Sequence, residues 1–202
     1  LCQIIPSFTL DGLLGKTSIV GEESNWTVAE FKEFVDSFDG NVVENVPRED
    51  LLTAMAGIAM SDYVDFKESK CDFDNEDFIT ILELIKEIGV EEEVDLFDDE
   101  NEDAYNNYEK RFWNDECALE FTSISGFSEF NILESAKFKE EVTLKGMPSG
   151  KGSGITVRYG ESFAISEKSE NKDEAWKFVR EYLLDDYQNY VIESDSRWRF
   201  PD

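Results

Sequence analysis

The sequence predicts an α/β fold, and three observations carry the prediction. Apolar residues recur at helical spacing in several segments opened by capping signals, strand-like runs lie between those segments, and 41% of the 202 residues are hydrophobic. A chain of that length and composition can bury a core without metal or disulfide staples.

The elements follow in order. Leu1 to Phe8 is apolar, ends at Pro6-Ser7, and predicts a buried strand running into a loop. Thr27 begins a Thr-x-x-Glu capping box with Glu30, and Phe31, Phe34, Val35 and Phe38 share one face of a helix predicted from Val28 to Phe38. Pro47 suits the first turn of a second helix, in which Glu49 and Asp50 favour the dipole and Leu51, Leu52, Met55 and Ile58 or Ala59 face inward. That helix is expected to end near Ser61. Asp74 is placed to cap a third helix, with Asp77 three residues on and Phe78, Ile81, Leu82 and Ile85 as its apolar stripe up to Gly89.

Glu91 to Asp103 reads as an exposed acidic loop before a helix carrying Tyr105, Tyr108, Phe112 and Trp113. Cys117 to Ile124 alternates like a strand, and Ser125-Gly126 breaks it before a short helix, Phe127 to Leu133. Val142 to Leu144 leads into a glycine-rich hinge or hairpin loop, Gly146 to Gly154, followed by apolar stretches Ile155 to Tyr159 and Ser162 to Ile165. Asn171 is placed to cap a last long helix with Glu174 at its third position, buried through Trp176, Val179, Leu183 and Tyr182 or Leu184. No internal repeat is visible.

Composition excludes several functions. The 47 acidic and 19 basic residues give a formal charge of −28, which repels nucleic-acid phosphates and anionic lipid surfaces. With no histidine, Ser-His-Asp and Cys-His catalysis are excluded. The three cysteines, Cys2, Cys71 and Cys117, are odd in number and widely spaced, and read as small buried apolar residues. No run approaches the roughly 20 apolar residues that span a bilayer, and Leu1 to Phe8 lacks the basic start of a signal peptide.

Motif by motif, the ordinary reading is the stronger one. Gly146-x-x-x-Gly150-Lys151-Gly152 has the wrong spacing and last residue for a Walker loop, and Gly150, Gly152 and Gly154 miss G-x-G-x-x-G. Asp72, Asp74, Glu76 and Glu83 fall on EF-hand positions 1, 3, 5 and 12, but Asp77 stands where the turn needs glycine; Asp98, Glu100, Glu102 and Glu109 repeat the coincidence. Neither a metal nor a cofactor is implied. Asn25-Trp26-Thr27 matches the glycosylation sequon, while Thr27 is already needed as a cap. Paired carboxylates could serve a glycosidase, yet no spacing singles out two. Aromatics beside breaks are more suggestive, because sugars stack on aromatic faces in clefts between elements: Phe8, Trp113, Phe127, Tyr159 and Trp198 all lie next to predicted loops.

One family combines these features. Val142-Thr-Leu-Lys-Gly-Met-Pro-Ser149, a strand ending in Ala164-Ile165-Ser166, then Ser169-Glu170-Asn171-Lys172 and a helix with Ala175-Trp176-Lys177-Phe178 resemble the extracellular solute-binding proteins of bacterial ABC importers, especially the carbohydrate-binding family that includes maltose-binding protein. Ile5-Pro6-Ser7-Phe8 resembles the strand that passes between lobes, and Asn25-Trp26-Thr27 the start of the second lobe's first helix. Cys71-Asp72-Phe73-Asp74 resembles the stretch that follows a short hairpin in relatives. Phe112 to Leu119 resembles a segment whose usual glycine is replaced here by Asp115.

The resemblance implies a type II periplasmic-binding-protein-like fold, mostly the second lobe (about 9–141), then an interlobe crossing and return to the first lobe (about 142–184) and the start of a final crossing (185–202). It further implies an internal fragment of a longer protein, extracellular as a surface lipoprotein or in the periplasm, that captures a carbohydrate or other small solute without catalysis and delivers it to ABC permease subunits. The site residues expected are Ser7, Phe8, Arg48, Trp113, Ser125, Phe127 and Trp198. Trp113 or Phe127 would stack on a sugar ring, and Ser7, Ser125 and Arg48 would supply hydrogen bonds. The alternatives left open are peptide ligands, a carboxylate-pair glycosidase, and an acidic calcium-dependent interaction domain.

Overall fold

The computed structural model describes residues 3–92, 102–150 and 154–195. The described elements run β1 (Phe8–Lys16), α1 (Thr17–Val20), α2 (Val28–Ser37), β2 (Asn41–Val43), α3 (Arg48–Tyr63), β3 (Val64–Asp65), β4 (Lys70–Cys71), α4 (Glu76–Ile88), α5 (Glu102–Trp113), β5 (Cys117–Ile124) and α6 (Phe127–Ile132). A π-helix (Leu133–Phe138), β6 (Val142–Lys145), β7 (Thr156–Tyr159), α7 (Lys172–Glu181) and α8 (Asp185–Asp195) complete them. The chain divides into two units. Unit 1 draws on Leu1–Leu10, Ile124–Ile132 and Val157–Asp202 as far as these are described, and unit 2 is Asp11–Ser123 with Leu133–Thr156.

Unit 2 is an α/β layer structure. Its strands lie in the order β2-β5-β1-β6, with β2 parallel to β5 (Asn41↔Cys117, Val43↔Leu119) and β1 antiparallel to β6 (Leu13↔Lys145 through Lys16↔Val142). The first strand is therefore Phe8–Lys16, not Leu1 to Phe8. Residues 11–16 are all buried, so no alternation marks them, and two glycines disguise them further. Glycine is needed at position 12 because a Cβ there would lie 2.6 Å from the Lys145 carbonyl oxygen.

Leu13 enters the main core with Phe31, Leu51, Met55, Ile81 and Leu119. Leu14, turned to the other side by the pleat, is also fully buried.

The helices over this core form largely as the periodicity predicts. Thr27 Oγ1 accepts from the Glu30 N–H at 3.2 Å and Glu30 Oε2 accepts from the Thr27 N–H at 2.7 Å, so the capping box is complete. Leu51 and Met55 are buried, but α3 runs on to Tyr63 and leaves Leu52 exposed. The cap of α4 is Asn75, whose side chain accepts from the Asp77 N–H at 2.9 Å, rather than Asp74. Its buried stripe is Ile81, Leu84 and Ile85, with Leu82 outside it. Helix α5 and strand β5 match their predicted segments. The short helix after Gly126 is longer than expected because six π-helical residues continue it to Phe138.

Several sequence features find their reason in this packing. Trp26 donates from Nε1 to the Gly146 carbonyl at 2.7 Å and meets Phe31 edge-on at 4.8 Å. Lys145, almost fully buried, donates to the Glu23 carbonyl at 2.6 Å with its Nζ 4.7 Å from the Trp26 ring centre. Burial holds that ammonium below the ordinary lysine value, against the opposing pull of Glu30 and Glu23. Asp115 takes φ +59°, the left-handed conformation that suits glycine and that aspartate tolerates, and the Lys16 ammonium pairs with its carboxylate.

Cys117 is buried, and that burial pushes its thiol up to about 12. Cys71, expected inside, is exposed on the two-stranded hairpin β3–β4. Cys2 lies outside the described residues.

Unit 1 is built on the antiparallel bridge between Ile4 and Phe163, with both hydrogen bonds at 2.9 Å, and on the pairing of β7 with β1. Phe163, Phe178, Tyr182 and Tyr187 pack ring to ring, Tyr182 at 4.7 Å from Phe163 and 4.9 Å from Tyr187. The predicted long final helix is two helices, because the chain turns at 182–184 before α8. Asn171 precedes α7 but its side chain makes no cap bond. Trp176 and Leu183, expected inside, are exposed; Val179 is the fully buried hydrophobic of α7. Most of the predicted acidic loop, the centre of the glycine-rich loop and the segment from Arg197 to Asp202 lie outside the described residues.

Candidate functional site

Unit 1 contains four of the expected site residues, on two features. At the first, the Ser7 carbonyl accepts from the Gly160 N–H at 3.0 Å and Ser7 Oγ accepts from the Glu161 N–H at 3.0 Å. The adjoining residues on the two paired strands, Phe8 and Tyr159, are aromatic and stand 55% and 61% exposed. Two rings held on a hydrogen-bonded strand pair but not packed away are available to a ligand.

At the second feature, β5 ends in a sharp turn at Ser125-Gly126 and α6 begins. The Ser125 N–H and Oγ–H both donate to Glu129 Oε2, at 2.8 and 2.9 Å, and the Phe130 N–H donates to the Gly126 carbonyl at 3.2 Å. Phe127, the first helical residue, is 83% exposed. An aromatic ring left almost wholly in water at a tightly bonded turn is an unusual placement for phenylalanine.

The other expected residues sit elsewhere. In unit 2, Arg48 opens α3 and pairs with Glu91 at 3.0 Å, so its charge is answered within the chain. Trp113 ends α5 with the Lys139 Nζ 3.3 Å from its ring centre and its own Nε1 buried without a partner among the described residues. One face of that ring is thereby taken. Trp198 lies outside the described residues.

Unit 2 also has an open hollow of about 730 Å³ at the β3–β4 hairpin, lined by Asp62, Tyr63, Phe66, Lys67, Lys70 and Asp72 among others. Asp62 Oδ2 accepts from Ser149 Oγ at 3.2 Å and from the Gly150 N–H at 3.0 Å, which ties the glycine-rich loop to the end of α3.

Sequence reasoning missed Glu129 and the Ser7–Glu161 bond. A Ser-x-x-x-Glu spacing is too common among 47 acids to stand out, and position 161 approaches Ser7 only through strand pairing.

The arrangement in unit 1 offers exposed rings beside hydroxyl, amide and carboxylate groups, which suits stacking and hydrogen bonding to a polar, ring-shaped solute.

Comparison with known proteins assigns the fold. The chain is similar to the sugar-binding protein MalE from Xanthomonas citri (TM-score 0.57, 14% identity, 91% of this chain and 48% of that one). It is also similar to the apo form of RafE from Streptococcus pneumoniae (TM-score 0.57, 13% identity, 96% and 54%). At these identities the likeness establishes the α/β, periplasmic-binding-protein-like fold. The chain spans about half the length of the solved structures it matches. No curated protein matches it. Among the described residues no helix is long and apolar enough to cross a membrane. The profile described as bacterial extracellular solute-binding protein matches residues 12–200, nearly the whole sequence, and the chain belongs to that family.

Proposed function

We propose that this chain is the solute-binding part of an ABC-importer receptor that captures a sugar or oligosaccharide outside the cell and passes it, unaltered, to permease subunits. The observation that carries the reading is Phe127: a ring 83% exposed, at a hydrogen-bonded turn, in a member of an extracellular solute-binding family. Phe8 and Phe127 are the proposed stacking surfaces, with Ser7 and Ser125 beside them as hydrogen-bonding groups. Arg48 and Trp113 enter as contacts only if the ion pair to Glu91 and the Lys139 contact yield to solute, and Trp198 joins them from the final segment. MalE, one of the similar structures, is described as sugar-binding, which favours a carbohydrate over a peptide. The family favours neither a glycosidase nor a calcium-dependent adhesion domain.

In this reading unit 2 is most of a second lobe and unit 1 is the part of the first lobe to which the chain returns. The exposed Trp176, Phe178, Leu183 and Tyr190 of unit 1 are then surfaces covered in a receptor about twice this length. In the whole protein the receptor is lipid-anchored at the cell surface or free in the periplasm.

Titration calorimetry of the full-length protein against a panel of mono- and oligosaccharides tests the proposal. Heat of binding for at least one sugar is expected, and it weakens on Phe127→Ala. No heat for any sugar, with binding of a peptide instead, overturns it.

A further inference from the structure

We propose that Glu129 is a positioning residue for Phe127; the proposal rests on the solute-binding reading above but has a test that does not. The starting point is an imbalance in α6. None of its six residues is fully buried, and Phe127 at its start is the most exposed of its apolar side chains. The π-helix that follows it in the chain belongs to unit 2, where Phe138 is fully buried against the Phe112 ring at 5.0 Å and Lys137 pairs with Glu120 while its Nζ lies 4.6 Å from the Tyr108 ring centre.

The near end, which carries Phe127, is bonded differently. Glu129 Oε2 takes two hydrogen bonds from Ser125, one from its backbone N–H and one from its hydroxyl. The carboxylate reaches back across the residue it positions, joining the end of β5 to the first turn of α6. Phe127 lies inside that closed loop.

The clamp also changes the part Ser125 plays. Its hydroxyl proton is already donated to Glu129, so the Ser125 Oγ that sequence reasoning offered to a sugar can serve it only as an acceptor. A ring almost wholly in water gains nothing from its own packing, and its affinity for a solute depends on being held in one orientation beforehand. A charged acceptor with two donors is a strong way to hold it. The clamp therefore preorganises the stacking surface, and the negative charge is incidental to recognition.

The experiment uses the full-length protein and four variants, Glu129→Ala, Glu129→Gln, Phe127→Ala and the double variant Glu129→Ala/Phe127→Ala. In the absence of solute, amide hydrogen exchange across residues 125–130 is expected to accelerate in Glu129→Ala and to fall back toward the wild-type rate in Glu129→Gln, whose neutral amide oxygen still accepts both bonds, more weakly. With a sugar identified by the calorimetry above, Glu129→Ala is expected to bind about tenfold more weakly, Glu129→Gln to recover, and Glu129→Ala to add no loss in a Phe127→Ala background. Unchanged exchange in Glu129→Ala overturns the proposal. So does an equal loss of affinity with and without the Phe127 ring, which would mean that Glu129 touches the solute itself. If the wild-type protein binds none of the sugars, the solute reading fails and the exchange measurement alone decides whether Glu129 holds the turn.

Discussion

Phe31 and Phe127 make a matched pair, because the same substitution should have opposite consequences at the two positions. Phe31 is fully buried, touches Trp26 edge-on at 4.8 Å and sits in the main core of unit 2, whereas Phe127 keeps 83% of its surface in water. A phenylalanine carries about 200 Å² of surface, so at about 25 cal/mol/Å² full burial contributes at most about 5 kcal/mol and the covered sixth of Phe127 under about 1 kcal/mol. Large-to-small replacements of buried rings cost about 3–5 kcal/mol, in agreement with the first figure.

Phe31→Ala is therefore expected to lower the melting temperature by about 10 °C, and Phe127→Ala to leave it within about 2 °C. Phe127→Ala should instead weaken binding of a stacked sugar by about 2 kcal/mol, roughly thirtyfold, as losses at exposed aromatic anchors do. Thermal and urea denaturation followed by circular dichroism measure the first quantity, and calorimetry the second. A larger fall in stability for Phe127→Ala than for Phe31→Ala would refute the burial argument. Unchanged sugar affinity in Phe127→Ala would refute the role given to the ring.

Three further outcomes follow from the same structure. Thr27→Ala should cost about 1 kcal/mol in urea titration, because it removes one half of the capping box on α2. In a Cys2→Ser background a thiol reagent at pH 8 should label Cys71 quickly and Cys117 only on unfolding, since Cys117 is buried with its thiol pushed up to about 12; equal rates would contradict this. Lys145 has a folded-state pKa below the ordinary 10.5, so between the two values the unfolded chain binds more protons and this residue's contribution to stability rises with pH. Wild-type stability measured against Lys145→Met should accordingly improve as pH is raised toward 10.5, and a falling difference would invert the assignment.

The helices were legible where their signals are local. Thr27 and Glu30 are three residues apart, so their mutual bonds need nothing from the rest of the chain, and α2 forms as its sequence indicates. The cap of α4 was expected at Asp74 and is its neighbour Asn75, whose backbone takes φ −63° and ψ 137° and whose side chain accepts from the Asp77 N–H. Strand β1 was hidden because its buried half shows no alternation and its glycines mimic a loop; the reason for Gly12 is the Lys145 carbonyl 133 residues further on, and for Gly15 the Ala118 carbonyl. The periodicity of α7 was real, but its face carries Trp176 on the outside because nothing described in unit 1 covers it. The π-helix left no sequence signal, and at its end Phe138 seats against Phe112.

By itself, then, the sequence established an acidic, histidine-free α/β chain, most of its helices, and a resemblance to solute-binding receptors through motifs such as Ser169-Glu-Asn-Lys172 that are short and contiguous. Tertiary structure alone decided which aromatic residues are core and which are free. Phe31 and Phe127 both fall in the first turn of a helix and are the same residue type, and what separates them is whether distant parts of the chain close over the ring. They do so over Phe31, which shares a core with Leu51, Met55, Ile81 and Leu119, and leave Phe127 in water above a turn held by Glu129.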